Sequence, residues 1–140
     1  TLIGEVKRNP RMRIPIIGNG DITTPEDAAQ AFDRYGVDAI MIGRATFGRP
    51  WIFKEIRHFL NTGEQLPPIS VAEKVELAKK HLAKSIEVKG DRVGLLEMRR
   101  HLSSYFKGLD NFKETRLKLV TTNDPAELIT VLDFINEKWQ

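Results

Sequence analysis

The chain has 140 residues, 41% hydrophobic and 29% charged, with a net charge of +3 and no cysteine. That composition belongs to a folded globular protein and excludes disulfides, thiolate metal sites and a cysteine nucleophile within these residues. The length falls short of the ~200 residues of a closed (β/α)8 barrel, no apolar run reaches the ~18 residues of a membrane span, and the start lacks a secretory-signal layout, so no membrane partner and a cytoplasmic location are expected.

Leu2, Ile3 and Val6 read as the last turns of an amphipathic helix, and the chain is expected to be the tail of a longer one. Ile14-Pro15-Ile16-Ile17 predicts a buried strand that runs into the loop Gly18-Asn19-Gly20-Asp21. Proline is tolerated near a strand start, where its missing N–H matters least. Thr24-Pro25-Glu26-Asp27 then supplies an N-cap, a proline in the first turn and two acids, and Gly36 closes the helix. Ala39-Ile40-Met41-Ile42 is a second apolar strand ending in Gly43-Arg44. Strand, helix and strand, with strands apolar on both faces, predict a parallel βαβ unit.

Pro50 to Leu60 reads as another helix, stopped near Gly63. The stretch from Glu64 to Ser70, with tandem prolines at Pro67 and Pro68, is a linker, and it divides the chain into expected domains 1–65 and 66–140. Beyond it Val71, Val75, Ala78, Leu82 and Ile86 recur at helical spacing up to Gly90. Leu95 to Phe106 gives a second helix stopped at Gly108, Phe112 to Val120 a short third, and Asn123-Asp124-Pro125 opens a last. The fold class is therefore α/β followed by all-α, ending in a small antiparallel helical bundle.

The strand ends carry the chemistry. Gly18-Asn19-Gly20 is not a dinucleotide fingerprint, because Thr23 stands where G-x-G-x-x-G needs its third glycine. Glu26 and Asp27 already put negative charge in the first turn of the following helix, which would repel a phosphate. Gly43-Arg44-Ala45-Thr46 has no acid before Glu55, and a glycine turn followed by arginine and a short helical turn forms an anion cradle. Plain turn geometry for Gly18, Gly20 and Gly43, with a surface salt bridge for Arg44, explains the same residues equally well. Between Lys79 and Lys118 eleven basic residues face five acidic ones. A polyanion partner would leave that footprint, but charge alone favours ordinary solvated helix faces.

The same residues carry a resemblance. Ile14-Pro15-Ile16-Ile17-Gly18-Asn19-Gly20-Asp21-Ile22, then Ile40-Met41-Ile42-Gly43-Arg44-Ala45 and Gly48-Arg49-Pro50-Trp51, resemble the C-terminal barrel segment of the tRNA-dihydrouridine synthases of the bacterial B type. Met98-Arg99-Arg100-His101-Leu102, Tyr105-Phe106-Lys107-Gly108 and Arg116 extend the match into the helical tail. The resemblance implies an oxidoreductase that reduces uridine in tRNA to dihydrouridine with FMN and NADPH. It implies the last βαβα part of a flavin-binding (β/α)8 (TIM) barrel, followed by a helical tRNA-binding domain. By the family motif, Asn19, Gly20, Asp21, Gly43 and Arg44 contact FMN, mostly its phosphate. The family's general acid is a cysteine on an earlier loop, so this chain is expected to hold no catalytic residue and to be inactive alone.

Arg99, Arg100, Tyr105, Lys107 and Arg116 become the expected tRNA contacts, since motif and local charge coincide there. Arg99 and Arg100 cannot point the same way on a helix, so one is expected to pair with Glu97 or Glu114, and Tyr105 also fits an apolar core stripe. His58, His81 and His101 read as isolated helix residues with no metal-ligand spacing, and Trp51 and Trp139 as packing residues. A piece of barrel leaves strand edges open, so self-association is expected. Two rival readings remain: another phosphate-binding barrel flavoprotein, which the basic tail disfavours, and a non-enzymatic RNA-binding module on a barrel scaffold.

Overall fold

A computed structural model describes residues 2–140. The chain divides into two compact units, the first ending at Pro67 and the second running from Pro68 to Gln140.

The first unit holds α1 (Leu2–Arg8), β1 (Ile17–Asn19), α2 (Pro25–Tyr35), β2 (Ala39–Met41), a single 3-10 turn (Arg44–Thr46) and α3 (Ile52–Thr62). The strands are parallel, with Ile17 opposite Ala39 and Asn19 opposite Met41. The first strand begins three residues later than the apolar run predicts. Pro15 has no N–H to donate, and Ile16 bonds to Asp38 instead: its N–H donates to Asp38 Oδ2 at 2.8 Å, while its carbonyl accepts the Asp38 N–H at 2.9 Å. The expectation of strands buried on both faces also fails, because Ile17 and Met41 are 61% and 53% exposed. The two-stranded sheet has too few neighbours among the described residues to cover both faces. Burial concentrates where α2 and α3 pack, around Ile22, Ala28, Ala31, Ile52 and Ile56, with Ile40 and Ala45 against them.

Helix α2 begins as the sequence dictates. Thr24 caps it, its hydroxyl accepting the Asp27 N–H at 3.1 Å while the Asp27 carboxylate accepts the Thr24 N–H at 2.9 Å. This reciprocal box satisfies donors that a helix start otherwise leaves open. Helix α3 starts two residues later than expected, because Pro50 and Trp51 lie in the turn before it.

The second unit is helical: α4 (Val71–Lys89), α5 (Asp91–Tyr105), α6 (Lys113–Thr121) and α7 (Pro125–Lys138). Helix α4 packs on α5 and α7, and α6 on α5 and α7. Leu82, Leu102, Leu119, Leu128, Leu132 and Ile135 are essentially fully buried between them. Only Gly90 separates α4 from α5, at φ 78° and ψ 164°, a region open almost exclusively to glycine. Trp139 packs edge-on against Phe112 at 5.3 Å and donates its indole N–H to the Asp110 carbonyl at 3.0 Å.

Candidate functional site

Parallel pairing in register sets the C-terminal ends of β1 and β2 side by side, so the loops that follow both strands open onto one concave surface. Asn19, Gly20, Asp21, Gly43, Arg44 and Ala45 line it together with Ile22, Thr23 and Met41. The chain turns sharply as it leaves β1. Gly20 has φ 150° and Asp21 a left-handed φ of 42°, a conformation in which aspartate is among the few tolerated side chains. Apart from the residues adjacent in the chain, no heavy atom lies within 4 Å of the Cβ position at either Gly20 or Gly43, so a ligand group has room to approach the backbone at both.

Arg44 Nη2 donates to Asp21 Oδ1 at 2.8 Å, and both side chains are about as exposed as free ones, at 85% and 86%. An ion pair that open is worth ~1 kcal/mol or less, so an incoming anion can displace the carboxylate from Arg44 at small cost. The leading N–H groups of the turn at Arg44–Thr46 have no acceptor within the turn itself. Glycine backbone, an arginine and an amide side chain at Asn19 thus form a donor-rich surface suited to a phosphate.

The start of α2, a few residues away, is closed to anions. Asp27 accepts the Thr23 N–H and hydroxyl as well as the Thr24 N–H. The Thr23 backbone bond first, then the Thr24 hydroxyl, hold its carboxyl below the usual range. Its negative charge therefore persists at neutral pH.

Behind this site runs a contact made by a residue to which the sequence alone assigns no role. Arg49 Nη1 donates to the Thr23 carbonyl at 3.1 Å, and Nη2 to Glu55 Oε2 at 2.6 Å. The available signal was a basic residue just before a helix with an acid six positions later, which is too common to single out.

The other candidates lie on the second unit and sort differently. Lys107 and Arg116 are exposed, as is Arg100. Arg99 is turned inward: Nη2 donates to Asn123 Oδ1 at 2.7 Å and lies 3.4 Å from the Thr121 and Thr122 carbonyls, while Nε is buried. Its partners are therefore the end of α6 and the turn after it, not Glu97 or Glu114. Lys89 bonds Glu97 instead. Tyr105 is 1% exposed, and its hydroxyl lies 3.2 Å from His81 Nδ1, so it is a core residue rather than a stacking platform. Burial pushes its phenol up to about 12. His81 and His101 are not isolated, because the fold sets their rings edge to face at 4.6 Å.

A family model described as Dihydrouridine synthase (Dus) matches residues 1–138. The chain belongs to the dihydrouridine synthase family. Among curated relatives, tRNA-dihydrouridine synthase B of Shewanella oneidensis is 46% identical over 132 residues, covering 94% of this chain and 40% of that protein. The enzyme of the same name from Proteus vulgaris is 42% identical over 131 residues, with the same coverages of 94% and 40%. That of Pseudomonas putida is 39% identical over 139 residues, 99% of this chain and 41% of that protein. The resemblance drawn from the strand-end motifs to the B type of this family is therefore borne out. The chain spans about two fifths of the length of these dihydrouridine synthases.

Proposed function

We propose that this chain is the C-terminal portion of an FMN-dependent tRNA-dihydrouridine synthase, contributing the last βαβα part of the (β/α)8 barrel and the helices that hold tRNA. The observation that carries the reading is the convergence of Asn19, Gly20 and Asp21 with Gly43 and Arg44 at adjacent parallel strand ends, where barrels commonly bind phosphate. The donor set fits the phosphate of FMN. Two glycines leave the backbone approachable, and Arg44 supplies a positive charge held only by an exposed pair. When bound, FMN would supply the hydride chemistry, with NADPH as the reductant.

The chain's own residues anchor and hold. Gly20, Gly43 and Arg44 fix the phosphate end, and Asn19 adds an amide. Asp21 keeps Arg44 oriented toward the cradle before the anion arrives. Exposed strand residues such as Ile17 and Met41 suit burial by the remaining barrel strands of a longer protein, or by a second copy where those are missing. On the second unit the exposed Arg100, Lys107 and Arg116 are the cations that suit tRNA phosphates, whereas Arg99 and Tyr105 support them from within.

The full-length protein, denatured to release any flavin, provides the test. FMN is expected, and Arg44→Ala is expected to weaken its retention roughly thirtyfold, the equivalent of about 2 kcal/mol for a hydrogen bond to a charged group. Affinity for tRNA should barely change in that variant. Absence of FMN, together with tRNA binding that falls steeply with salt, would favour the RNA-binding module instead.

A further inference from the structure

We infer that Arg49 is a positioning residue for the phosphate cradle, holding the two strand-end loops at the separation at which Arg44 and the Gly20 and Gly43 backbones face a single anion. The inference rests on the FMN reading above. Arg49 stands just past the 3-10 turn; its N–H donates to the Thr46 carbonyl and its own carbonyl accepts the Ile52 N–H, each at 3.1 Å. Its backbone therefore joins the turn carrying Arg44 to the start of α3. Its guanidinium reaches the other loop through the Thr23 carbonyl and ties back to α3 through Glu55. Thr23 is itself fixed to α2, donating its N–H and its hydroxyl to Asp27 Oδ2, both at 3.0 Å. One chain of bonds thus runs from α2 through Thr23, Arg49 and Glu55 to α3.

Two side-chain links join the loops among the described residues, and their characters are opposite. Asp21 with Arg44 is almost fully exposed and faces the cradle, so an anion there draws Arg44 away and that link is given up. The second link is the bond from Arg49 to the Thr23 carbonyl; its guanidinium is anchored from behind by Glu55 of α3, the two side chains being 38% and 17% exposed, and neither lines the cradle. Held in this way, the bond from Arg49 to Thr23 keeps the loops in register when the first link opens. Two acceptors in different directions suit a planar fork of donors, and a single ammonium cannot serve both with the same geometry.

The test uses the full-length protein and compares FMN with riboflavin, which has the same ring and no phosphate, by quenching of flavin fluorescence. Arg49→Ala is expected to weaken FMN about tenfold, the scale on which support lost from behind a bound ion is felt, and riboflavin less than about twofold, the range of an ordinary surface change. Arg49→Lys should behave like Arg49→Ala. Arg44→Ala combined with Arg49→Ala should lose less than the product of the single losses, because one residue acts through the other. Should Arg49→Ala not fold, Glu55→Gln keeps the volume and should reproduce the preference in weaker form, about threefold, through loss of one charge-assisted bond. Unchanged FMN affinity, equal loss of FMN and riboflavin, or strictly multiplicative losses would each overturn the positioning role while leaving the FMN site standing. An unmodified protein that binds no FMN would overturn the functional reading, and the role of Arg49 with it.

Discussion

Gly94→Ala should destabilise the second unit, although in an exposed helix the same change would stabilise by ~1 kcal/mol. A Cβ built on Gly94 comes within 2.8 Å of Ile86 Cα, Ile86 N and the carbonyl carbon of Ser85, all backbone atoms of α4 that cannot rotate aside. Real Cβ contacts essentially never fall below 3.0 Å and ordinary van der Waals contact begins at 3.4 Å, so α4 and α5 must part by a few tenths of an ångström. That movement loosens the packing of α4 on α5, whose Ala78, Leu82, Leu95 and Met98 are all buried, and stretches the 3.0 Å bond from Ser85 Oγ to the Gly94 carbonyl. Overpacking costs ~1–3 kcal/mol, and the strained hydrogen bond adds ~1 kcal/mol. The gain in helix propensity subtracts ~1 kcal/mol, leaving a net loss of ~1–3 kcal/mol. In a unit of this size each kcal/mol moves the midpoint by ~4–8 °C, so thermal unfolding followed by far-UV circular dichroism should fall by ~5–20 °C. An unchanged or raised midpoint would refute the close crossing of α4 and α5.

Stability should also vary with pH at the contact between His81 and His101. Burial first, and then His101, keeps His81 below its ordinary value; burial first, and then Arg100, does the same for His101. Unfolded chains bind more protons between these lowered values and ~6.5, so this contribution is present above ~6.5 and lost as pH falls through the folded values. Tyr105 works at the other end: its folded value, raised to about 12 from 10.0, gives a contribution that is whole below 10.0 and lost as pH climbs to about 12. Urea midpoints that stay flat from pH ~7.5 to ~5 would contradict the histidine contact. Arg99→Met should cost ~1–2 kcal/mol of stability by releasing Asn123 and the end of α6. Replacing Lys107 and Arg116 with glutamine together should instead leave stability within ~0.5 kcal/mol and flatten the salt dependence of tRNA binding by ~2 in log–log slope. Loss of tRNA affinity in Arg99→Met with an unchanged unfolding midpoint would reverse this assignment.

Helix limits were legible wherever the signal is local. Thr24, Pro25 and Asp27 announce α2 because its capping box joins residues three apart, and Asp124 opens α7 just as locally, accepting the N–H of Ala126 two residues on with Pro125 in the first turn. The βαβ pairing followed from two apolar runs flanking one helix. Strand placement was less legible, since Ile14 to Ile17 is as apolar as a buried strand and only the bond from the Ile16 N–H to Asp38, twenty-two residues on, shows where pairing starts. The loops that meet at the site could be named because glycine and arginine at strand ends are few. The half-buried Arg49 could not, because its acceptor is a backbone carbonyl, and a carbonyl leaves no trace in a sequence.

The arginines make the general point. Arg44, Arg49 and Arg99 are identical in composition and charge, yet one waits in an exposed pair, one ties two loops together and one closes the end of a helix. What separates them is the acceptor each one finds: an exposed carboxylate, a carbonyl with a half-buried carboxylate, and an amide beside helix-end carbonyls. An arginine whose donors meet fixed backbone acceptors has little left for a ligand, and removing it should register first in stability or in the geometry of a neighbouring site. One held by a solvent-exposed carboxylate can change partners for ~1 kcal/mol or less. Counting basic residues between Lys79 and Lys118 therefore overstates the surface open to a polyanion. The acceptor of each cation, rather than its charge, divides those that shape the protein from those free to meet phosphate.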